Sequence, residues 1–239
     1  MSALSKSGQT YSNWEVKHTD KTYHLYNEKK EKKSFWHDLD YRGSGYGSEE
    51  YNMVVEIPQN RLAKMEYDKE KDCILQNVKK CSVSGKTVDR YYPIFPEFNY
   101  GFIPQTHEPP VADPQLDGLR GDNDPLDVLE LSGAVCSIGS ILKVKVIGCL
   151  PLIDQGEVDY KMLAVRTDHP LSANVSSIAE YNQLHPHRLA YIINWFIRYK
   201  ILEGKKANSY AKDGLKISAA EALALVEKHH LLYLQTNAK

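Results

Sequence analysis

Hydrophobic positions change their spacing twice along this chain. Up to about residue 50 they are sparse among polar residues and charges of both signs. From Tyr51 they form short, β-branched runs, and after Ser177 they recur every three to four positions. The first strand is expected at Asn52-Met53-Val54-Val55-Glu56-Ile57, which stops at Pro58. Further strands are expected at 63–67, 73–77, 88–92, 126–131, 141–152 and 160–167, separated by turn signals such as Ser84-Gly85, Pro109-Pro110, Asp117-Gly118 and Gln155-Gly156. Several short strands with this punctuation predict a closed β-barrel. Ser177-x-x-Glu180 and Ser218-x-x-Glu221 are capping boxes that open helices. Leu189, Ile192, Ile193, Phe196 and Ile197 form one apolar stripe over 188–201, and a last helix is expected over 218–234. The predicted class is mainly β with α, a barrel flanked by C-terminal helices. Residues 51–239 are read as one domain, and residues 1–50 as an extension packed on it that includes a short hairpin. The glycine-rich segment 43–47 belongs to that extension.

Composition narrows the partners. Thirty basic residues against 31 acidic ones give a net charge of −1, so the overall field favours neither nucleic acid nor an anionic membrane. The lysine run Lys29, Lys30, Lys32 and Lys33 is broken by Glu31 and reads as a solvated face. The four cysteines form no Cys-x-x-Cys pair, which suits reduced thiols. The polar start, without an apolar leader core, and the lack of a long apolar run make a cytoplasmic location the expectation.

Three acidic groups supply candidate chemistry. The tightest is Asp122-Asn123-Asp124-Pro125-Leu126-Asp127. Aspartates this close disfavour one another's charged form, and a fold that gathers them calls for hard cations with oxygen ligands. In extended backbone, which Pro125 favours for the residues before it, Asp122 and Asp124 share a face. The alternative is an aspartate-rich loop held by its own turns. The second group, Asp154-Gln155-Gly156-Glu157-Val158-Asp159-Tyr160-Lys161, is a hairpin loop that places Asp159 and Lys161 on one face. The third is Glu56, Lys64 and Glu66; Glu56 interrupts an apolar strand and sits either at a solvated strand end or in a polar cavity. The helical stripe continues onto Tyr199 and Lys200, which either snorkel out or face a pocket that holds an anion. Arg90 is either a surface residue or a further cation of that pocket.

Seven carboxylates (Glu56, Glu66, Asp122, Asp124, Asp127, Asp154, Asp159) against four cations (Lys64, Arg90, Lys161, Lys200) leave a formal excess of three negative charges. Such a pocket repels a polyanion unless metals bridge the two. A free diphosphate carries roughly −3 to −4, which about three or four Mg2+ ions would balance together with the protein charges.

These residues resemble the soluble family I inorganic pyrophosphatases, whose signature Asp-x-Asp-Pro-hydrophobic-Asp-hydrophobic is matched by Asp122 to Val128. The resemblance extends in order over 52–58, Lys64-Met65-Glu66, Val88-Asp89-Arg90, Asn99-Tyr100-Gly101-Phe102-Ile103-Pro104, 154–161 and Tyr199-Lys200, and the terminal segments resemble the longer eukaryotic type. It implies an OB-like barrel, Mg2+-dependent hydrolysis of diphosphate to two orthophosphates, and a homodimer. By carry-over, Asp122, Asp127 and Asp159 would hold one activating metal, with Asp127 shared by a second. Asp124 would accept the proton of the attacking water. Glu66, Asp154 and Asp159 would serve the metals that arrive with substrate, and Glu56 would act partly through water. Lys64, Arg90, Tyr100, Lys161, Tyr199 and Lys200 would hold the phosphates, with Lys64, Arg90 and Tyr100 also assisting the reaction. Where the family carries another tyrosine shortly before Asn-Tyr-Gly, this chain has Phe95 and Phe98; Tyr92 is the nearby phenol, and the leaving-group acid stays unassigned. Two other readings fit the acidic groups: a metal-dependent phosphohydrolase of nucleotides or polyphosphate, and a non-catalytic acidic binding module.

Overall fold

The computed structural model describes residues 11, 13–44, 49–113, 118–211 and 216–237. Within them the strands are β1 (Glu15–Thr19), β2 (Thr22–Tyr26), β3 (Lys32–Lys33), β4 (Glu50–Ile57), β5 (Met65–Asp68), β6 (Cys73–Gln76), β7 (Val78–Lys80) and β8 (Thr87–Asp89). They continue with β9 (Asn99–Phe102), β10 (Ala112–Asp113), β11 (Leu119–Gly121), β12 (Asp127–Glu130), β13 (Ile141–Asp154), β14 (Glu157–Arg166) and β15 (Ser209–Tyr210). The helices are α1 (Ile178–Leu184), α2 (Arg188–Leu202) and α3 (Ala219–Asn237).

Five strands close a ring. β4 pairs with β9 and β13, β9 with β12, β12 with β14, and β14 with β13. No edge is left open in this circuit, the five-stranded closure of an OB-like barrel. The alternation along β13 and β14 follows from the ring: one set of side chains packs inside, and the other packs beneath helices or the outer sheet. Val54, Phe102, Leu129, Leu150 and Leu163 belong to one buried cluster, which α2 joins through Leu189, Ile192, Trp195 and Phe196. Met53, Val55, Val128, Val144 and Met162 belong to the second, which α3 joins through Ala222 and Val226.

Glycine lets two ring strands meet closely. A Cβ at Gly101 on β9 would fall on the carbonyl of Val54 in β4. Beside it, the β4–β9 register slips between Val55 and Ile57, so Glu56 sits in a bulge. The bulge turns a carboxylate out of an apolar strand and into the cavity described below.

The N-terminal hairpin β1–β2 pairs through β2 with β6, making a second sheet with β3 and β5. The second half of the expected glycine-rich segment, 45–47, and Asp117 of the expected Asp117-Gly118 turn lie outside the described residues. The helix signals correspond to real caps: Ser177 Oγ accepts from Glu180 N, and Ser218 N donates to the Glu221 carboxylate at 3.1 Å. The last helix runs three residues beyond the predicted end. Among the described residues no helix is long and apolar enough to cross a membrane.

Candidate active site

One cavity of about 260 Å³ opens at an end of the ring. All thirteen residues singled out in the sequence line it: Glu56, Lys64, Glu66, Arg90, Tyr100, Asp122, Asp124, Asp127, Asp154, Asp159, Lys161, Tyr199 and Lys200. They arrive from β4, β5, β9, β12, β13, β14, the last turn of α2 and the loops between strands.

Its centre is Lys161, buried at 2 % exposure. Asp127 and Lys161 face each other across the parallel β12–β14 pair, and Asp159 lies two positions earlier on β14. The Lys161 ammonium donates to both carboxylates and lies 3.0 Å from the Tyr100 hydroxyl, which donates to Asp127. Burial alone would lower this ammonium, but Asp127 and Asp159 hold it well above the usual lysine range. One internal cation cannot balance this many carboxylates. Burial, then Asp127 and Asp122, push Asp159 well above the usual range. Burial, then Asp124 and Asp127, push Asp122 to about 7. Glu56, 6 % exposed, is driven to about 8 by burial and then Asp127, although Tyr67 N donates to it at 2.7 Å.

A second set of contacts lines the opposite wall. Lys200 Nζ lies 2.8 Å from Asp154, and the Tyr199 hydroxyl donates to the same carboxylate at 3.1 Å. Lys200 is buried, so the last turn of α2 faces the pocket and does not snorkel. Burial works against the Asp154 charge, but the hydrogen bond and field of Lys200 prevail and keep its carboxyl below the usual value. Lys64 pairs with Glu66. Burial, reinforced by Arg90, lowers the Lys64 ammonium to about 8.

The structure corrects one local expectation. Asp122 and Asp124 do not share the face of an extended segment. Asn123 adopts φ +70°, and Asp124 N donates to Asp122 Oδ1 at 3.0 Å, which is an Asx turn. The turn separates the two carboxylates: Asp122 points inward, while the half-exposed Asp124 side chain pairs with Lys69 at 2.7 Å. Pro125 constrains Asp124 alone, because its ring clashes with the preceding residue only.

Three neighbours of the site were missed or left unassigned. Arg90 is clamped by Glu203 through two bonds of 2.9 and 2.6 Å. Tyr92 lines the cavity with its ring edge-on to Tyr199 and Trp195, whereas Phe98 is buried against Trp195 and Phe196 and Phe95 is exposed. Glu108 stands beside Asp122 and Asp159, with ligand atoms of all three within 4.8 Å of one another. Neither Glu108 nor Glu203 belongs to a sequence pattern; each is a single carboxylate in a loop or at a helix end.

The donor set suits hard divalent cations: buried carboxylate oxygens, too many for the cations present. The family described as inorganic pyrophosphatase matches residues 53–234. A chloroplastic soluble inorganic pyrophosphatase of Chlamydomonas reinhardtii is 35% identical over 205 residues, covering 84% of this chain and 70% of its own length. The bovine inorganic pyrophosphatase is 38% identical over 213 residues, covering 86% of this chain and 71% of its own. Type I inorganic pyrophosphatase from Toxoplasma gondii superposes with a TM-score of 0.85 at 34% identity, over 93% of this chain and 99% of that one. A truncated vacuolar soluble pyrophosphatase of Trypanosoma cruzi in complex with PPi superposes with a TM-score of 0.84 at 25% identity, over 100% of this chain and 98% of that one. With this fold and this match, the chain belongs to the soluble family I inorganic pyrophosphatases.

Proposed function

We propose that this chain hydrolyses inorganic diphosphate to two orthophosphates, with magnesium as its metal. The observation that carries the reading is the convergence of the seven carboxylates singled out in the sequence, joined by Glu157, and four cations in one cavity. Carboxylates alone would suit a cation store, and cations alone an anion site. Together they suit a polyanion that arrives with metals.

Asp122, Asp127 and Asp159 are the residues to hold a resident metal, with Asp127 shared with a second. Glu66, Asp154 and Asp159 would serve the metals that arrive with substrate, and Glu56 would act partly through water. Bound Mg2+ would supply charge neutralisation and a lowered pKa for water. Asp124 is suited to accept the proton of the attacking water, since it is the carboxylate at the mouth and is not buried among the others. Lys64, Arg90, Tyr100, Lys161, Tyr199 and Lys200 donate towards the cavity and would position the two phosphoryl groups. Water adds across the bridging P–O bond, and the cations stabilise the charge that builds on the departing orthophosphate. The Tyr92 phenol makes no hydrogen bond among the described residues and is a further candidate donor to phosphate. A homodimer in the cytoplasm belongs to the same proposal; the four cysteines are free, which suits a reducing compartment.

Substrate profiling tests the reading. With Mg2+, release of orthophosphate from diphosphate should exceed that from ATP or polyphosphate by orders of magnitude. Comparable turnover of ATP would favour a general phosphohydrolase. Intact metal binding with no release from any of them would leave a binding module. Sedimentation velocity decides the oligomeric state.

A further inference from the structure

Glu108 is buried at 1 % exposure in the loop between β9 and β10. Its Oε1 accepts from Tyr160 N at 3.1 Å, the residue next to Asp159. Its Oε2 is buried and has no hydrogen-bond partner. The Glu108 backbone is joined to the aspartate turn twice, N donating to Asp124 O at 2.9 Å and O accepting from Asn123 N at 2.8 Å. Gly121 makes room for this: a Cβ there would stand 2.6 Å from the Glu108 carbonyl oxygen. The chain thus brings one carboxylate against both acidic loops through side chain and backbone alike.

Structural need explains only half of it. Capping Tyr160 N takes one acceptor, and an uncharged side chain such as glutamine has one. The second oxygen is the costly part, because a buried acceptor without a donor forfeits its hydration. Among the described residues that oxygen has no hydrogen-bond partner, and the Lys161 ammonium donates to Asp127, Asp159 and Tyr100. What does face it is the carboxylate pair Asp122 and Asp159. Three oxygens from three buried or half-buried carboxylates, one of them unpartnered, form a cation site.

We propose that Glu108 is a ligand of the metal held by Asp122 and Asp159, presenting its free Oε2 to a hard divalent cation. The proposal rests on the metal-dependent reading given above and deepens it. It adds to the carboxylates lining the cavity a fully buried one that stands against Asp122 and Asp159, whereas Asp124 is half-exposed. The resident metal would thereby be gripped by three separate segments, strand β14, the aspartate turn and the β9–β10 loop, and would hold the last two to the ring.

The test is metal binding without diphosphate, on the full chain stripped by chelator and titrated with Mn2+ by electron paramagnetic resonance and calorimetry. E108Q keeps the acceptor for Tyr160 N and removes the charge. It should fold with an unchanged or raised thermal midpoint in chelator, and its tightest Mn2+ affinity should fall about ten- to a hundredfold. E108D, which keeps the charge on a shorter arm, should fall between the two, and it replaces E108Q if that variant fails to fold. Wild-type affinity and stoichiometry in a folded E108Q, or in E108D in its place, would overturn the assignment and leave Glu108 as a structural bracket. This outcome is separable from failure of the diphosphatase reading, in which wild type binds Mn2+ but releases no phosphate.

Discussion

Asp124 and Asp122 are two residues apart and have opposite surroundings. The Asx turn at Asn123 buries one and leaves the other half-exposed beside Lys69. Those surroundings suit the two proposed roles, metal ligand for Asp122 and proton acceptor for Asp124. Asp124→Asn should retain metal affinity and lower kcat at least about a hundredfold, since a positioned base contributes roughly 10²–10⁴. A near-wild-type rate removes Asp124 from that role. Tyr92 offers a different test, because its ring is packed while its hydroxyl has no partner. Tyr92→Phe should leave the thermal midpoint unaltered and reduce kcat/KM for diphosphate about tenfold, the scale of one hydrogen bond to a charged group. Unchanged kinetics would make Tyr92 a packing residue. For Lys200, buried against Asp154, replacement by methionine should raise KM or lower kcat without unfolding the chain. A stabilised variant with wild-type kinetics would mean that the helix end serves packing alone.

At the scale of elements, the site depends on places where regular structure is interrupted. The bulge at Glu56 works because β9 lies close on β4, and Gly101 allows that approach. Gly101→Ala should destabilise the fold by about 3 kcal/mol or more, read from urea unfolding, because overpacking against backbone cannot relax as a flexible side chain would. A loss within a few tenths would show that β4 and β9 can separate freely. These interruptions also mark the limit of what the chain declares in advance. The strands 52–57, 141–152 and 160–167 and the helix from Arg188 are legible because their side chains follow the period of the element. The strand expected at 88–92 is the short β8, ending at Asp89; beyond it the chain changes partners, with Arg90 N donating to Asn77 O, Arg90 O accepting from Lys64 N and Tyr91 bridging to Ala63. The inward set of Glu56 is not legible, since a bulge depends on its partner strand. Asn123 is extended only if the restraint of Pro125 reaches two residues back, and a proline acts on its immediate neighbour alone, which leaves Asn123 free to take φ +70°.

Across the whole molecule, excess carboxylate gathers around Lys161, a charge imbalance that the proposed metals would offset. The closed ring was anticipated from strand count and turns; the acidic groups were visible because aspartates cluster in sequence. Glu108 and Glu203 were not, because each acts through a partner far away in the chain, and a lone carboxylate carries no pattern. The raised carboxylates make a prediction about stability. Glu56 titrates at about 8 and Asp122 at about 7 when folded, against ordinary values near 4.5 and 3.8. Between those limits the folded state binds more protons than the unfolded one, so stability must fall as pH rises. Lys64, lowered to about 8, acts in the opposite sense only above that pH. His24, His37 and His230, each lowered from 6.5 by burial, oppose this trend below about that pH, so in chelator the thermal midpoint should decline from pH 6.5 to pH 8, and Mg2+ should remove most of the decline by stabilising the ionised carboxylates. A flat profile in chelator would mean that neither burial nor the neighbouring carboxylates raise these groups.

The most direct measurement of the central claim is orthophosphate release from diphosphate by the full chain, in Mg2+, in Ca2+ and in chelator. The account predicts rapid release in Mg2+, strong loss when the larger Ca2+ replaces it, and none in chelator, with recovery when Mg2+ is restored. Release that persists undiminished in chelator would contradict it, because the carboxylates of the cavity would then be gathered for something other than metal.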